Sequence, residues 1–208
     1  MKINILRKKY SDKLVLKNIE IALLENGLYG FFGKNGQGKT TFFNCLLGLA
    51  SYEGSIKLDD NYLKSSDCAW IPTEPDFYEY LTVKEFIDFY AMTVGGEKTK
   101  NYNALFEVPL NQLIKECSTG TRKKVYINAV LQLSDYKIYI FDEPFNGLDI
   151  EANYVLIEEI KKLSKTHIVF ISSHIIEVIL PFIDKCFYVN QLKIQEIPHN
   201  ELIDEFRK

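Results

Sequence analysis

The sequence lacks long apolar runs. None of them approaches the roughly 18 residues that a membrane-spanning helix needs, and the start, Met1 to Ile5, has no apolar core of the kind found in signal peptides. The four cysteines stand singly, without a C-x-x-C pair or a histidine at ligand spacing, so we expect buried thiols rather than disulfides or zinc. These absences predict a cytoplasmic protein that reaches a membrane only through a partner.

The sequence also lacks a charge excess of either sign. Its 25 Lys and Arg residues against 28 Asp and Glu residues leave a net charge of −3, which argues against a surface that binds nucleic acid. Two short basic clusters, 7–9 and 122–124, are explained as solvated faces. With 208 residues, of which 47% are hydrophobic, the chain can form one globular domain with a substantial core.

One stretch, Gly33 to Thr41, carries a specific chemical signal. It fits G-x-x-x-x-G-K-S/T, the pattern of a loop that cradles phosphates. Glycines adopt backbone angles that a Cβ forbids, so successive N–H groups can curl around an anion. Lys39 would then bring a positive charge to the β- and γ-phosphates, and the Thr40 hydroxyl would bind Mg²⁺. The residues expected to contact the nucleotide here are Gly33, Asn35, Gly36, Gly38, Lys39, Thr40 and Thr41.

The residues on either side of this loop predict the context that it needs. The run from Leu28 to Phe32 is apolar, like a buried strand, and apolar residues recur at helical spacing from Phe42 to Leu49. A strand, a glycine-rich loop and a helix N-terminus in this order direct backbone amides and the positive end of the helix dipole at one point. Nucleotide phosphate binding is therefore the first functional prediction.

Polar groups follow two further apolar runs. Asp142 and Glu143 end the run that starts at Ile138, and a second run leads to His174. Because parallel sheets bind ligands at the carboxyl ends of their strands, these groups should meet the phosphate loop. Asp142 would hold Mg²⁺ directly or through water, Glu143 would accept a proton from an attacking water, and His174 would donate to a γ-phosphate oxygen. Taken singly, the carboxylates are equally well explained as turn acids, and His174 as a helix cap.

The remaining patterns predict an α/β fold with an antiparallel β portion at the N-terminus and a helical insert. Thr82 to Glu85 form a capping box ahead of a helix. We expect short helical pieces from Leu105 to Lys115, broken by Pro109, and one short surface helix from Glu201 to Lys208. Residues 76–117 are therefore predicted to be a small helical insert.

With these motifs in place, the chain resembles the nucleotide-binding subunit of an ABC transporter, and the likeness runs almost from end to end. Gly33–Thr41 matches the Walker A motif, Ile138–Glu143 the Walker B motif with its catalytic carboxylate, Asn146–Asp149 the D-loop, and His174 the switch histidine. Tyr10 stands where the family stacks an aromatic ring on adenine. A plain edge-strand tyrosine is the competing interpretation of that residue.

Two motifs depart from the family pattern. The signature, usually Leu-Ser-Gly-Gly-Gln, is Cys117–Thr121 here and keeps Ser118 and Gly120. At the Q-loop, Thr73 stands in place of the glutamine, with Glu74 beside it. Either Glu74 supplies the oxygen ligand for Mg²⁺, or a water fills the gap, or both residues only shape a turn.

The resemblance implies a P-loop ABC ATPase cassette with a mainly parallel core sheet, an N-terminal antiparallel portion and a small helical subdomain. The expected division is a catalytic core of residues 1–75 and 118–208 and a subdomain of residues 76–117. It also implies Mg-ATP hydrolysis by two chains docked head to tail, so that Ser118, Gly120 and Asp149 serve the nucleotide shared with a second ATPase subunit. A separate transmembrane permease subunit would hold the chain at the inner face of the cell membrane, and the exporter branch is the best match.

Two alternatives remain open at this point. A soluble ABC-type ATPase acting on ribosomes or DNA usually carries two cassettes or a long coiled-coil insertion, and the sequence shows neither. A binding-only regulatory subunit would explain the departures at the Q-loop and the signature. The intact Glu143 and His174 argue against it.

Overall fold

The computed structural model describes residues 1–95, 101–133, 136–174 and 176–202. Its strands are β1 (Lys2–Tyr10), β2 (Lys13–Ala22), β3 (Gly27–Phe32), β4 (Glu53–Leu58), β5 (Asn61–Tyr62), β6 (Cys68–Ile71), β7 (Ile138–Asp142), β8 (Ile168–Ser172), β9 (Lys185–Asn190) and β10 (Lys193–Ile197). Its α-helices are α1 (Lys39–Leu46), α2 (Val83–Thr93), α3 (Thr119–Leu131), α4 (Ile150–Ser164) and α5 (Ile176–Ile179). Short 3-10 helices cover Ser65–Asp67, Ile114–Glu116 and Leu180–Phe182.

A six-stranded sheet with the order β10-β9-β3-β8-β7-β6 forms the centre of the fold. Its strands pair in parallel except for β10, which pairs antiparallel with β9 at the edge. Every residue of β3, β7 and β8 is buried, as expected for strands covered on both faces. The carboxyl ends of these three strands lie side by side, so the groups that follow them converge.

A second, antiparallel sheet covers one face of the central sheet. Its order is β2-β1-β4-β5, and α1 is packed between the two sheets in one cluster of buried side chains. Phe31 of β3 stacks on Phe42 of α1, with ring centroids 4.8 Å apart. The other face is covered by α3 and α4. The predicted α/β cassette, with an antiparallel portion and a mainly parallel sheet, is confirmed.

The segment from 76 to 117 has less helix than the sequence predicted. The capping box at the start of α2 is confirmed: Thr82 Oγ1 accepts from Glu85 N, and the Glu85 carboxylate accepts from Thr82 N. The helical pieces expected from Leu105 to Lys115 are wrong, because only the 3-10 turn at Ile114–Glu116 forms there. Instead, the buried Asn128 of α3 accepts from the amides of residues 105 and 106 and donates to the carbonyls of residues 102 and 106.

The C-terminal part contains a hairpin that was not predicted from the sequence. Strands β9 and β10 are joined by a tight turn in which Gln191 and Leu192 both have positive φ, 45° and 71°. The helix predicted from Glu201 to Lys208 lies mostly outside the described residues; helical backbone is present up to Leu202. Within the ranges that the structure describes, no helix has the length and apolar character needed to cross a membrane.

Candidate active site

The phosphate loop lies between β3 and α1, as predicted. Gly36 and Gly38 have φ values of +77° and +111°, a region that glycine enters at little cost. Gly33 packs against the Val189 carbonyl of β9, where a Cβ would have no room. The Lys39 ammonium donates to the Gly33 carbonyl at 2.7 Å, which fixes its position at the loop.

Lys39 lies between the loop and two carboxylates. The residue is 7% exposed, and burial lowers the pKa of its amine, while the charges of Glu143 and Asp142 act in the opposite direction. A buried ammonium of this kind is a strong partner for phosphate oxygens, because little water screens it.

Asp142 is held by two hydroxyl groups. Thr40 Oγ1 donates to its Oδ2 at 2.6 Å, and Ser172 Oγ donates to its Oδ1 at 2.5 Å. A hydroxyl that donates its proton keeps its lone pairs, so Thr40 Oγ1 can still bind a cation. Hydroxyl and carboxylate oxygens are ligands that suit Mg²⁺. The donor set therefore fits a cation bound by Thr40, with Asp142 bound directly or through water.

Glu143 and His174 form the second pair at the strand ends. The Glu143 carboxylate is buried, its Oε2 accepts from the His174 amide at 3.0 Å, and its Oε1 lies 3.2 Å from His174 Nε2. That second contact is close enough for an ion pair but is not aligned as a hydrogen bond, and no other donor within the described residues is directed at Oε1. A buried carboxylate oxygen without an aligned donor is free to accept a proton.

The environment of Glu143 also raises its pKa. Burial is the main cause, and the nearby Asp142 adds to it, whereas His174 and Lys39 act in the opposite direction. The backbone of Glu143 has φ of +48°, which is uncommon for a residue with a side chain and costs on the order of 1 kcal/mol or more. Two bonds from Glu143 N to Ser172, to the carbonyl at 3.2 Å and to Oγ at 3.0 Å, stabilise this conformation.

These groups surround one cavity of about 610 Å³. The predicted site residues that border it are Tyr10, Asn35, Gly36, Gly38, Lys39, Thr40, Thr41, Asp142, Glu143 and His174. Tyr10, at the end of β1, is 47% exposed and has the Lys8 ammonium 4.0 Å from its ring centroid. The arrangement can hold a nucleotide with its phosphates at the loop and its base towards Tyr10.

Five predicted site residues do not border this cavity. One is Gly33, which begins the loop and packs against Val189 instead. Glu74 is exposed, whereas its neighbour Thr73 does line the cavity. Ser118 caps α3 by accepting from the amide of residue 121. A Cβ on Gly120 would lie 2.7 Å from the Gly147 carbonyl, and Asp149 caps α4. Gly120 of the signature therefore packs against the backbone of Gly147 in the D-loop.

Three contributors to the site were not assigned roles from the sequence. The Ser172 hydroxyl donates to Asp142. Its one signal in the sequence is its position directly after an apolar run. Gln191 borders the cavity from the β9–β10 turn, which was itself missed. Lys123 is buried near the two carboxylates, although the basic cluster in which it stands was predicted to be solvated.

A phosphate-binding loop joined to a buried Asp-Glu pair at the carboxyl ends of parallel strands defines a P-loop nucleoside triphosphatase. Comparison with known proteins narrows this class. Residues 16–146 match the family model described as ABC transporter. The chain is 30% identical to the SkfA peptide export ATP-binding protein SkfE of Bacillus subtilis (strain 168) over 227 residues, covering 100% of this chain and 94% of that protein. It is also 30% identical to the bacitracin transport ATP-binding protein BcrA of Bacillus licheniformis, covering 98% of this chain and 71% of that protein.

A solved structure shares the fold. It is a dimeric ATP-binding cassette in a post-hydrolysis state, bound to ADP and Pi, and it matches with a TM-score of 0.82 and 20% identity over 95% of this chain and 98% of that one. The chain belongs to the ABC transporter family. Its predicted class is thereby confirmed, as an ATP-binding, ATP-hydrolysing subunit of a transporter. Neither a non-transport ATPase nor a binding-only subunit is favoured.

Proposed function

We propose that the chain binds Mg-ATP at a head-to-tail interface with a second ATPase subunit. Hydrolysis there would drive transport through a separate membrane subunit at the inner face of the cell membrane. The names of the two relatives, one for peptide export and one for bacitracin transport, support a peptide or peptide antibiotic as the cargo.

In this proposal, each group at the strand ends has one role. The loop amides and Lys39 bind the β- and γ-phosphates, and Thr40 and Asp142 would hold Mg²⁺, which would neutralise phosphate charge. Glu143 orients the attacking water and accepts its proton. His174 donates to the γ-phosphate from its place beside Glu143.

The Oε1 atom of Glu143 carries the proposal for catalysis. It is buried at the cavity and has no aligned donor among the described residues. A general base must offer a free lone pair within reach of its substrate, and a structural carboxylate would normally have both oxygens satisfied. Its raised pKa also brings its proton affinity closer to neutral pH than that of an exposed glutamate.

The placement of the signature residues supports a shared site. Ser118 and Gly120 begin α3 but do not border the cavity of their own chain. The N-terminus of a helix favours anions through its free amides and dipole. A second subunit docked head to tail would bring its γ-phosphate to this helix end, with Asp149 near the contact.

Exposed aromatic side chains support a membrane partner. Tyr78 and Phe89 are exposed and contact each other, with ring centroids 4.9 Å apart, and Met92 is exposed one turn further along α2. Apolar groups exposed together commonly mark a protein interface. We assign this surface to the membrane subunit of the transporter.

Glu143→Gln tests the proposed function. The variant should bind ATP but lose roughly 10²-fold or more of turnover, because its amide cannot accept the proton. With Mg-ATP, light scattering should show a stable dimer. Glu158→Gln is the matched control, since Glu158 is an exposed residue of α4 that pairs with Lys161. A Glu143→Gln protein that remains monomeric and hydrolyses ATP at the parental rate would overturn the role.

A further inference from the structure

Lys123 is a buried lysine outside the motifs described so far. It lies in α3, two residues after Thr121, and is 3% exposed. Its ammonium donates to the Pro72 carbonyl at 2.8 Å and to the Thr73 carbonyl at 2.9 Å. Both carbonyls belong to the segment that follows β6, about 50 residues earlier in the chain.

The surroundings of Lys123 hold its amine by hydrogen bonds and also compensate its positive charge. Burying an ammonium is costly unless hydrogen bonds and opposite charges compensate. Two carbonyls accept hydrogen bonds from it, and the carboxylates of Asp142, Glu143 and Glu74 favour the charged form. Burial nevertheless lowers the pKa of Lys123 to about 8.

Lys123 joins two parts of the chain that face different ligands. Thr73 borders the nucleotide cavity of its own chain. The first turn of α3 carries Ser118 and Gly120, which do not border that cavity. Because a helix is stiff over one turn, a shift of the Thr73 backbone would move the start of α3 through the ammonium, and the reverse also holds.

We propose that Lys123 is a positioning residue that couples the Thr73 wall of one nucleotide cavity to the Ser118–Gly120 motif presented to the nucleotide of the second subunit. The coupling rests on the proposed function, in which the two sites are shared head to tail. The coupling accounts for a rigid connection between the segment after β6 and α3 in a chain that lacks the Q-loop glutamine. The connection runs through the backbone of Thr73 and not through its side chain.

The first test compares three single variants. Lys123→Met keeps the apolar stem and removes the donors, Lys123→Arg keeps charge and donors, and Lys162→Met is the control at an exposed lysine of α4. We expect Lys123→Met to lose about tenfold in kcat, the equivalent of roughly one hydrogen bond to a charged group. The KM for ATP should stay within about twofold, because Lys123 does not border the cavity. Lys123→Arg should recover most of the rate, and Lys162→Met should leave it unchanged.

The second test locates the effect in the pair. Lys39→Ala chains mixed with Ser118→Arg chains can form one intact site, from the loop of the Ser118→Arg chain and the signature of the Lys39→Ala chain. Lys123→Met is then added to one chain or to the other. Coupling predicts a loss of kcat for both placements, whereas a residue that acts on one side only would matter in one of them.

The outcomes separate the two proposals. If mixing the parent chains restores no activity, the shared site fails and the coupling fails with it. If activity is restored and Lys123→Met is silent in one placement or both, only the coupling is overturned. A fall in kcat that Lys123→Arg does not recover also counts against it. Should Lys123→Met fail to fold, as judged by thermal unfolding, Lys123→Gln takes its place in the same scheme and is held to the same outcomes.

Discussion

At the scale of single residues, Tyr10 is the part of the site most open to test. The Lys8 ammonium, itself buried, lies against its ring, and a cation over an aromatic face is held there electrostatically. With that face occupied, a nucleotide base can stack only on the opposite one. Lys8 thus fixes one face of the ring at the rim of the cavity, and the other face is available to a nucleotide base.

Tyr10→Ala should weaken ATP binding by roughly 5- to 150-fold, because stacking of a base on an aromatic ring contributes about 1–3 kcal/mol. Tyr10→Phe keeps the ring and should bind ATP like the parent. Equilibrium dialysis with ATP and with tripolyphosphate measures both effects. Tripolyphosphate has no base, so its affinity should not change. Equal affinity of Tyr10→Ala and the parent for ATP would favour the plain edge-strand tyrosine.

The Thr73-Glu74 pair decides how the missing glutamine is replaced. Glu74 is exposed and away from the cavity wall, while Thr73 borders it with a side chain shorter than glutamine. We therefore expect water to fill the gap, and Glu74→Ala and Thr73→Ala should leave the Mg²⁺ concentration for half-maximal turnover unchanged. Thr73→Gln should be tolerated. A metal titration of the three variants checks this. An increased Mg²⁺ requirement in Glu74→Ala would make Glu74 the ligand, which is the first of the three alternatives left open by the sequence.

The phosphate loop could be predicted because its shape depends on local residue types. Glycine at positive φ and a lysine at the helix start are properties of a few neighbouring positions. Lys123 could not be recognised in the same way. Its burial depends on the carbonyls of Pro72 and Thr73, which are close only in the folded chain. From the sequence, it looks like one member of a solvated basic cluster.

At the scale of elements, the strands that end at the site were predicted and two other features were not. Continuous apolar runs identify β3, β7 and β8 because both of their faces are buried. The β9–β10 hairpin lacks the Asn-Gly or Asp-Gly turn that signals such hairpins, since Gln191 and Leu192 occupy its positive-φ positions. The pattern from Leu105 to Lys115 predicts helical pieces, but Asn128 bonds to the backbone of residues 105 and 106 instead.

The turn at Ser65–Asp67 gives a prediction for the pH dependence of stability. Asp67 accepts from the Lys64 amide at 3.1 Å and pairs with Lys137 at 2.9 Å, and these contacts, with Lys137 the larger, lower the pKa of Asp67 from its ordinary value of 3.8. A carboxyl with a lowered folded-state pKa stabilises the fold above its unfolded pKa and loses that contribution as the pH falls. Asp67→Asn should therefore unfold below the parental Tm at pH 7, and the difference should shrink below about pH 4.

Thermal unfolding of both proteins across the pH range measures this effect. Asp60→Asn is the control, because the Lys2–Asp60 pair is exposed on both sides, and exposed pairs contribute little at any pH. A difference between Asp67→Asn and the parent that stays constant down to acid pH would show that the ion pair is not its source.

At the scale of the whole molecule, the residues that the structure describes form three buried clusters. Two lie on the faces of the central sheet, and the third joins Val83, Phe86 and Ile114 to Val125 and Ala129 of α3. The division at residues 75 and 117 stays a prediction. Because the third cluster includes α3, that helix packs both with the expected subdomain and with the catalytic core.

A shared site predicts that turnover depends on protein concentration. Turnover per chain should rise with concentration and level off once most chains are paired, since an isolated chain lacks a signature for its own nucleotide. ATPase assays over a dilution series, with light scattering at each point, measure both quantities. Turnover per chain that does not change while scattering reports single chains at the lowest concentrations would contradict the shared site.

The position of β3 has a consequence for how the protein is made. Its neighbours in the sheet are β8 and β9, residues 168–190, and Gly33 rests against Val189. The ribosome has therefore synthesised the whole phosphate-loop motif long before it synthesises the strands that pack against it. During synthesis, a nascent chain with the complete motif but without those strands would bind nucleotide poorly. ATP binding would therefore stabilise the fold only after β8 and β9 have been made.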